Sequence, residues 1–454
     1  MRAGRFVPAS LVAAGALLVA GCSAPGSDDG SAGDSSDAAA EEITAPVTPE
    51  EVAELGDVTM RIWAEAGEEA TLNHLVPIFE KKYPNVTVDV TIKSFDDLTK
   101  TVVNAMNSDS APDLAQGNQG YQVDGALVQA GLVRPLDDVA EAYGWEDDYS
   151  EYSLNQFRWN EDGSRWGEGT LYANSPVTQY IGVYYNKDLL AEAGVEPPES
   201  WADFEASLPE IKSAGITPIE FGNSDKQAAM HLFGAVSGRC QTADEVNDWV
   251  AGVEGADFRS ECNNQTAATL VDWVNQGYIS SGYDGVTMDD AALRFGDGSA
   301  AYYIGGDWLA QQISPRGGNI GFTELTGEHG KLVATGASSM GWHVSSKTEV
   351  LPAAVAFLGE LHSPDYAQAL ADQKRVPITG GDDVTSDDPL LNDDLIAARR
   401  LLDDNGQTAY LDWSTDTMYD EFGSRLQELL AGRIGPEDFT EAVQANWAAF
   451  QEDR

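Results

Sequence analysis

The chain has 454 residues, 42% of them hydrophobic, and its 26 Lys and Arg against 75 Asp and Glu give a formal net charge of -49. That charge repels nucleic acid and anionic ligands at long range, which excludes a polyanion-binding role and favours a neutral or cationic ligand. The length exceeds the roughly 250 to 300 residues at which single cores stop growing, so two lobes are expected.

Arg2 and Arg5 precede an apolar run from Leu11 to Ala20 that is too short for a membrane span but has the length of a signal-peptide core. The small residues Ala20 and Gly21 complete a cleavage site, so residues 1-21 read as an export signal. Because the run ends in Val19-Ala20-Gly21-Cys22, it resembles a bacterial lipoprotein signal, in which the Cys22 thiol is acylated and becomes the new amino terminus. Each buried methylene of such an anchor contributes about 0.8 kcal/mol. Ser23 to Ala45 is Ser, Gly, Ala and Asp with almost no large apolar residue, and residues 22-54 are expected to form a flexible acidic linker. No later apolar run is long enough to cross a bilayer. The expected location is the extracellular face of the membrane of a Gram-positive bacterium, reached through the lipid anchor only. With Cys22 taken by lipid, Cys240 and Cys262 are an even pair in an oxidising compartment and are predicted to form a disulfide.

In the body, Val58 to Trp63 alternates as a strand, and Leu72, Leu75, Val76 and Phe79 recur at helical spacing until Pro84. Val86 to Val90 is a second strand. A helix around Leu98 to Met106, a short strand at Asp113 to Ala115 and a helix from Val123 to Ala130 repeat the pattern, with Pro135 as a stop. The class is α/β with mostly parallel sheets flanked by helices. Asp162-Gly163 is a tight turn. Tyr180 to Tyr185 is apolar on both faces, as a central strand would be. Ser200-Trp201-Ala202-Asp203 starts a helix that Gly215 closes, and Ile216 to Phe221 returns as a strand.

Tyr185-Asn186-Lys187-Asp188-Leu189-Leu190 followed by Pro197-Pro198-Glu199-Ser200-Trp201 resembles a passage of the extracellular solute-binding proteins of sugar ABC transporters, the maltose-binding-protein-like family. Phe79 to Pro84, Ala111-Pro112-Asp113-Leu114, and Gly298, Ala300, Ala301, Gly306 and Trp308 within Phe295 to Trp308 match the same family in the same order. The resemblance implies a two-lobed periplasmic-binding-protein-like fold, with several crossing segments as hinge and a ligand cleft between the lobes. By that likeness the first lobe takes 55-173 and 339-376, and the second 174-338 and 377-454. Hinge closure about the ligand is the implied mode of capture. The implied ligand is a neutral di- to tetrasaccharide, handed by a monomer to permease and ATPase subunits on separate chains.

A sugar ring offers an apolar face to an aromatic plate and a rim of hydroxyls to planar amides and carboxylates, and each hydroxyl left unpaired on burial costs about 1 to 3 kcal/mol. Substrate-binding candidates are therefore sought where these residue types adjoin. Gly305-Gly306-Asp307-Trp308 matches the family's Gly-x-Trp, with Trp308 the foremost stacking residue and Asp307 beside it. Asn118, Gln119 and Tyr121 follow the Asp113 to Ala115 strand at the carboxyl end where open α/β sheets bind ligands, and Glu65 and Glu68 occupy the equivalent rim after the first strand. Trp413, Asp416 and Tyr419 lie where the family supplies a late aromatic residue. Asn223, Asp225 and Gln227 follow the strand ending at Phe221, although relatives often carry tryptophan where Gln227 stands. Ser338, Ser339 and Trp342 lie in a Gly-rich stretch resembling the family's crossing strand, and Gln179 is on the first crossing strand.

The rival classes are a lipid-anchored glycoside hydrolase and a glycan-binding adhesin. With 75 acidic residues, carboxylate pairs are unavoidable and uninformative. HExxH, Gly-x-Ser-x-Gly, CxxC and P-loop motifs are all missing, and His74, His231, His329, His343 and His362 are scattered without ligand spacing. Neither an enzyme, a metal site nor a cofactor is expected.

Overall fold

The computed structural model describes residues 42-378, 387-452 and 454. The export signal, the lipidation candidate Cys22 and most of the expected linker lie outside the described residues. The linker's last part does not behave as a linker. Ile43 donates its backbone N–H to Asp138 and is buried, Val47 donates to the Tyr143 hydroxyl, and Pro49–Ala53 is a helix. Thr48 and Glu51 form a reciprocal capping box that satisfies two otherwise unpaired helix N–H groups, and Val52 is fully buried. The compact body therefore begins at Ile43 rather than Leu55.

The strand β1 (Val58–Glu65) buries Met60, Ile62 and Ala64 and exposes Thr59 and Arg61, the period-two pattern of a sheet with one more deeply covered face. It runs parallel to β2 (Val86–Lys93) and to β3 (Leu114–Gly117). The connecting helix Glu69–Lys82 buries Thr71, Leu72, Leu75 and Phe79, one apolar stripe at helical spacing. Helix Phe95–Asn107 is capped by Ser94 and buries Leu98, Val102 and Met106. The helix expected from Val123 opens instead with a single π turn at Tyr121–Gly125, in which Gly125 N–H bonds the Gly120 carbonyl five residues back. A contact within the core accompanies it: Asp124 Oδ1 and His343 Nε2 lie at hydrogen-bond distance, 2.8 Å.

The strands β4 (Arg158–Trp159) and β5 (Thr170–Leu171) form a small hairpin, with Gly163 N–H closing a turn onto the Asn160 carbonyl. The long strand β6 (Val177–Asn186) is the spine of a second, seven-stranded sheet with β7 (Ile219–Glu220), β8 (Tyr302–Gly306), β9 (Ile320–Thr323), β10 (Ala334–Ser338), β12 (Val376–Pro377) and β13 (Gln407–Thr408). The strand β11 (Gly341–Val344) returns to the first sheet, antiparallel to β3.

The two-lobed α/β architecture is the expected one. The second sheet departs from the mostly parallel expectation: β6 enters from the first lobe and runs antiparallel to β8, β9, β10 and β12, leaving only β7 with β8 and β10 with β13 parallel. The strand β7 is also shorter than the expected 216–221. Pro218 has no N–H for a ladder, and Phe221 donates its own to the Ser280 side chain. Ser200 and Asp203 form the expected capping box of helix Trp201–Ser213.

Three chain passages run side by side between the sheets. Trp342 N–H bonds the Asn174 carbonyl, Ser339 N–H the Val177 carbonyl and Ile378 N–H the Pro176 carbonyl. On one side the first lobe also packs against late residues, with Trp166 and Trp413 ring centroids 5.9 Å apart and Tyr121 and Phe450 4.9 Å apart. Cys240 and Cys262 form a disulfide with 5.7 Å between Cα atoms, joining the end of helix Gln227–Ser237 to helix Glu261–Asn275. Closing this loop, a sequence separation of 22, stabilises the fold by about 3 kcal/mol in the chain-entropy account.

Candidate functional site

A cavity of about 560 Å³ lies between the sheets. Its floor comes from the crossing passages: Gln179 on β6, then Ser338, Ser339 and Met340. Gln119 ties the first-lobe wall to this floor, because its side-chain nitrogen donates to the carbonyls of Ser338 (3.0 Å) and Ser339 (2.9 Å).

The first-lobe wall starts at the carboxyl end of β1. Glu65 accepts from Gly67 N–H at 2.6 Å and so caps the short turn Ala66–Glu68. Burial raises the Glu65 pKa, and the Gly67 hydrogen bond offsets this only in part. Glu68 is 3% exposed and is surrounded by donors: Arg375 at 2.8 Å, Thr71 at 3.0 Å, Tyr366 at 3.2 Å and Gln116 at 3.4 Å. Burial alone would raise its pKa, but the Arg375 guanidinium and the hydrogen bonds outweigh that and hold it below the usual value. The two glutamates, assigned alike from sequence, therefore differ. Glu68 is neutralised within the wall, while among the described residues Glu65 has no cation within ion-pair distance.

The second-lobe wall is built on the glycine-tryptophan motif. A Cβ at Gly306 would lie 2.0 Å from the Trp308 ring, so the indole occupies the space a side chain would need. Tyr184 donates its hydroxyl to the carbonyls of Gly306 and Asp307, both at 2.9 Å, and fixes the turn. Trp308 remains partly exposed to the cavity and meets the edge of His231, ring centroids 5.5 Å apart. Trp413 and Tyr410 adjoin, with centroids 4.9 Å apart, and a Cβ at Gly120 would meet the Trp413 Cβ at 2.5 Å. Tyr419 faces Phe95 of the first lobe at 6.3 Å. Buried His231 has its pKa pushed down to about 3 and is neutral, whereas burial pushes Asp412 up to about 7.

Of the residues singled out from sequence, the cavity brings together Glu65, Glu68, Asn118, Gln119, Gln179, Asp225, Gln227, Trp308, Ser339, Trp413 and Tyr419. Five others lie elsewhere. Tyr121 is buried against Trp159 and Phe450. Asn223 sits beneath the wall, accepting from Ala229 N–H at 3.1 Å and thereby satisfying the start of helix Gln227–Ser237. Asp307 points away from Trp308 and accepts from Tyr180 N–H. Trp342 is 1% exposed and packs toward Phe357 in the first-lobe core. Asp416 lines a separate shallow depression with Asp162 and Arg454.

The cavity also contains residues not anticipated, chiefly Arg375, Phe95, Asp96, Tyr410 and Asp412. Ser94-x-x-Asp97 is a readable cap signal that would have put Phe95 and Asp96 at a helix start beside the cleft. Arg375 carried no such signal, because its partner Glu68 is 307 residues away. Among the described residues, no group of three or more His, Cys, Asp or Glu is arranged to hold a metal ion, and no helix is long and apolar enough to cross a membrane.

The family model described as bacterial extracellular solute-binding protein matches residues 44–368. An uncharacterized ABC transporter extracellular-binding protein of Pyrococcus horikoshii is 23% identical over 268 residues, 56% of each chain. The chain thus spans little more than half the length of that relative. The multiple sugar-binding protein of Streptococcus mutans is 22% identical over 68% of this chain and 72% of its own length. Among solved structures, a chitin oligosaccharide binding protein superposes with a TM-score of 0.75 at 21% identity, covering 87% of this chain and 99% of that one.

Proposed function

This chain belongs to the bacterial extracellular solute-binding protein family, and from that premise we propose that it captures an oligosaccharide outside the cell and delivers it to the permease of an ABC importer. The ligand is a di- to tetrasaccharide, uncharged along most of its length. The observation that carries this reading is the convergence, in one cavity between two sheets, of the aromatic plates Trp308, Trp413 and Tyr419 with the amides Gln116, Asn118, Gln119, Gln179 and Gln227. A sugar ring stacks its C–H face on an indole or phenol while planar amides pair with its hydroxyls. A volume of about 560 Å³ falls within the ~300–1,000 Å³ typical of small-ligand sites.

The three crossing passages at 174–178, 338–342 and 376–378 form the hinge, and closure about them encloses the sugar. We place the first lobe at 43–173 with 339–376 and the second at 174–338 with 377–454. The protein works as a monomer, tethered at the extracellular face through acylated Cys22. The spacer beyond it keeps the cleft at high effective concentration near the permease. Permease and ATPase are separate chains.

The test is calorimetric titration with α- and β-linked di- to tetrasaccharides, together with analysis of each mixture for cleavage. Binding without product supports a transport receptor; product formation would instead support a glycoside hydrolase.

A further inference from the structure

The cavity wall carries six carboxylates, Glu65, Glu68, Asp96, Asp225, Asp289 and Asp412, against one guanidinium, Arg375. Arg375 is held by Glu68 at 2.8 Å. Outside the cavity, Lys100 pairs with Asp96 at 2.8 Å and Lys226 with Asp420 at 3.3 Å. No cationic partner lies within 4 Å of Glu65, Asp225, Asp289 or Asp412 among the described residues. His231 cannot supply the charge, because burial keeps its imidazole neutral.

Two of these unpaired acids, Asp225 and Asp412, line the cavity with Tyr419, whose ring faces Phe95 across the cleft with centroids 6.3 Å apart. Burial chiefly, and the charges of Asp412, Asp96 and Asp225 after it, raise the Tyr419 pKa. Asp225 uses one oxygen to accept from Met288 N–H at 2.9 Å, which fixes it at the cleft mouth. Beside this corner, Tyr410 feels the Asp412 charge, and its ring lies 5.8 Å from that of His231. His231 is 4% exposed, and its Nδ1 has no hydrogen-bond partner among the described residues. The Tyr410 hydroxyl likewise has none among them. A buried polar atom left unpaired is costly, so both point to a polar ligand group at this end of the cleft. Hydroxyls of a neutral sugar could donate to Asp225 and Asp412 but would leave the excess of acids over cations in this wall uncompensated. An ammonium group would neutralise them and would also rest on the negative faces of Tyr419 and Phe95.

We propose that the corner formed by Asp225, Asp412 and Tyr419, faced by Phe95 from the other lobe, is a subsite for a protonated amine on the sugar, so that the preferred ligand is a cationic amino-oligosaccharide. This rests on the sugar-binding reading above and narrows it.

The experiment is calorimetry at pH 6.5 with matched pairs that differ by one or more amines: glucosamine trimer against cellotriose, and reductively aminated maltotriose against maltotriitol. The wild-type chain is compared with Asp225→Asn, Asp412→Asn and, from the opposite lobe, Phe95→Leu, each first checked for a cooperative melt. The expected result is that the amine-bearing member of at least one pair binds tenfold tighter or more, and that the ratio falls below about threefold in the Asn variants and declines in Phe95→Leu. Neutral members binding as tightly as their amine partners would overturn the subsite and leave the sugar reading standing. A preference that survives in the variants would also overturn it. If no member of either pair binds, nor any glycan of the wider panel, the sugar reading falls and this inference with it.

Discussion

Arg375→Met removes the guanidinium from a fully buried carboxylate. Glu68 would keep its bonds from Thr71, Tyr366 and Gln116 but lose the Arg375 cation. Removing one partner of a buried pair costs about 3 to 5 kcal/mol, because the remaining charge is uncompensated. For a chain of this size that corresponds to a fall in melting temperature of roughly 3 to 6 °C. The sign of the pH dependence is a sharper test than the size. In the wild type the folded-state pKa of Glu68 is lowered, so the pair stabilises above the unfolded-state value and this stabilisation is lost as pH falls through the folded value. Without Arg375, burial dominates and the Glu68 pKa rises, so the variant recovers stability relative to wild type as the solution is acidified. Urea denaturation of both proteins at pH 7.5 and pH 4.5 measures this gap. Adding Glu68→Gln to the variant should restore much of the loss at pH 7.5. A loss under 1 kcal/mol at pH 7.5, or a gap that widens on acidification, would refute the account of Glu68 as a neutralised wall residue.

Trp308→Ala should weaken oligosaccharide binding by 2 kcal/mol or more, about 30-fold in Kd by calorimetry, as a buried aromatic anchor does. Gly306→Ala should act through the same indole: its Cβ would overlap the Trp308 ring, so affinity falls even though Trp308 is intact, with a changed tryptophan emission spectrum as the readout. Asp394, which accepts from the Tyr180 hydroxyl, has its pKa raised to about 7 by burial, and burial and the Asp394 charge also raise Asp307. The folded chain therefore binds protons that the unfolded chain has released between pH 4 and 7. Stability should fall as pH rises across that window, and Asp394→Asn should flatten the fall in urea midpoints. Replacing Cys22 with Ser should leave sugar affinity unchanged and release the protein from cells, read by fractionation and by slower uptake.

What could be read from the sequence was largely local. The alternation in Val58 to Trp63, the Ser200-Asp203 cap and the Gly306-Trp308 pair are each specified by residues within a few positions of one another, and the structure has all three. What escaped depends on direction or distance. Asp307 and Trp308 are neighbours on a turn, and their side chains diverge, one into the core beneath β6 and one into the cleft. Trp342 and Ser339 share a Gly-rich stretch, but Trp342 has already joined the first sheet and faces its core, while Ser339 is still on the crossing passage. The start of the body at Ile43 was hidden because Ser, Ala and Thr composition masked a capped helix of five residues. Arg375 was invisible because only the folded chain brings it to Glu68.

The central claim is that the cleft between the lobes holds an oligosaccharide. Titrating the chain with a panel of α- and β-linked di- to tetrasaccharides, neutral and amine-bearing, while following heat and tryptophan fluorescence, tests it most directly. The account predicts one site, a change in tryptophan emission from Trp308 and Trp413, a Kd of about 1 μM, close to -8 kcal/mol, and no cleavage of the ligand. Silence across the panel, or binding undiminished in Trp308→Ala, would contradict it.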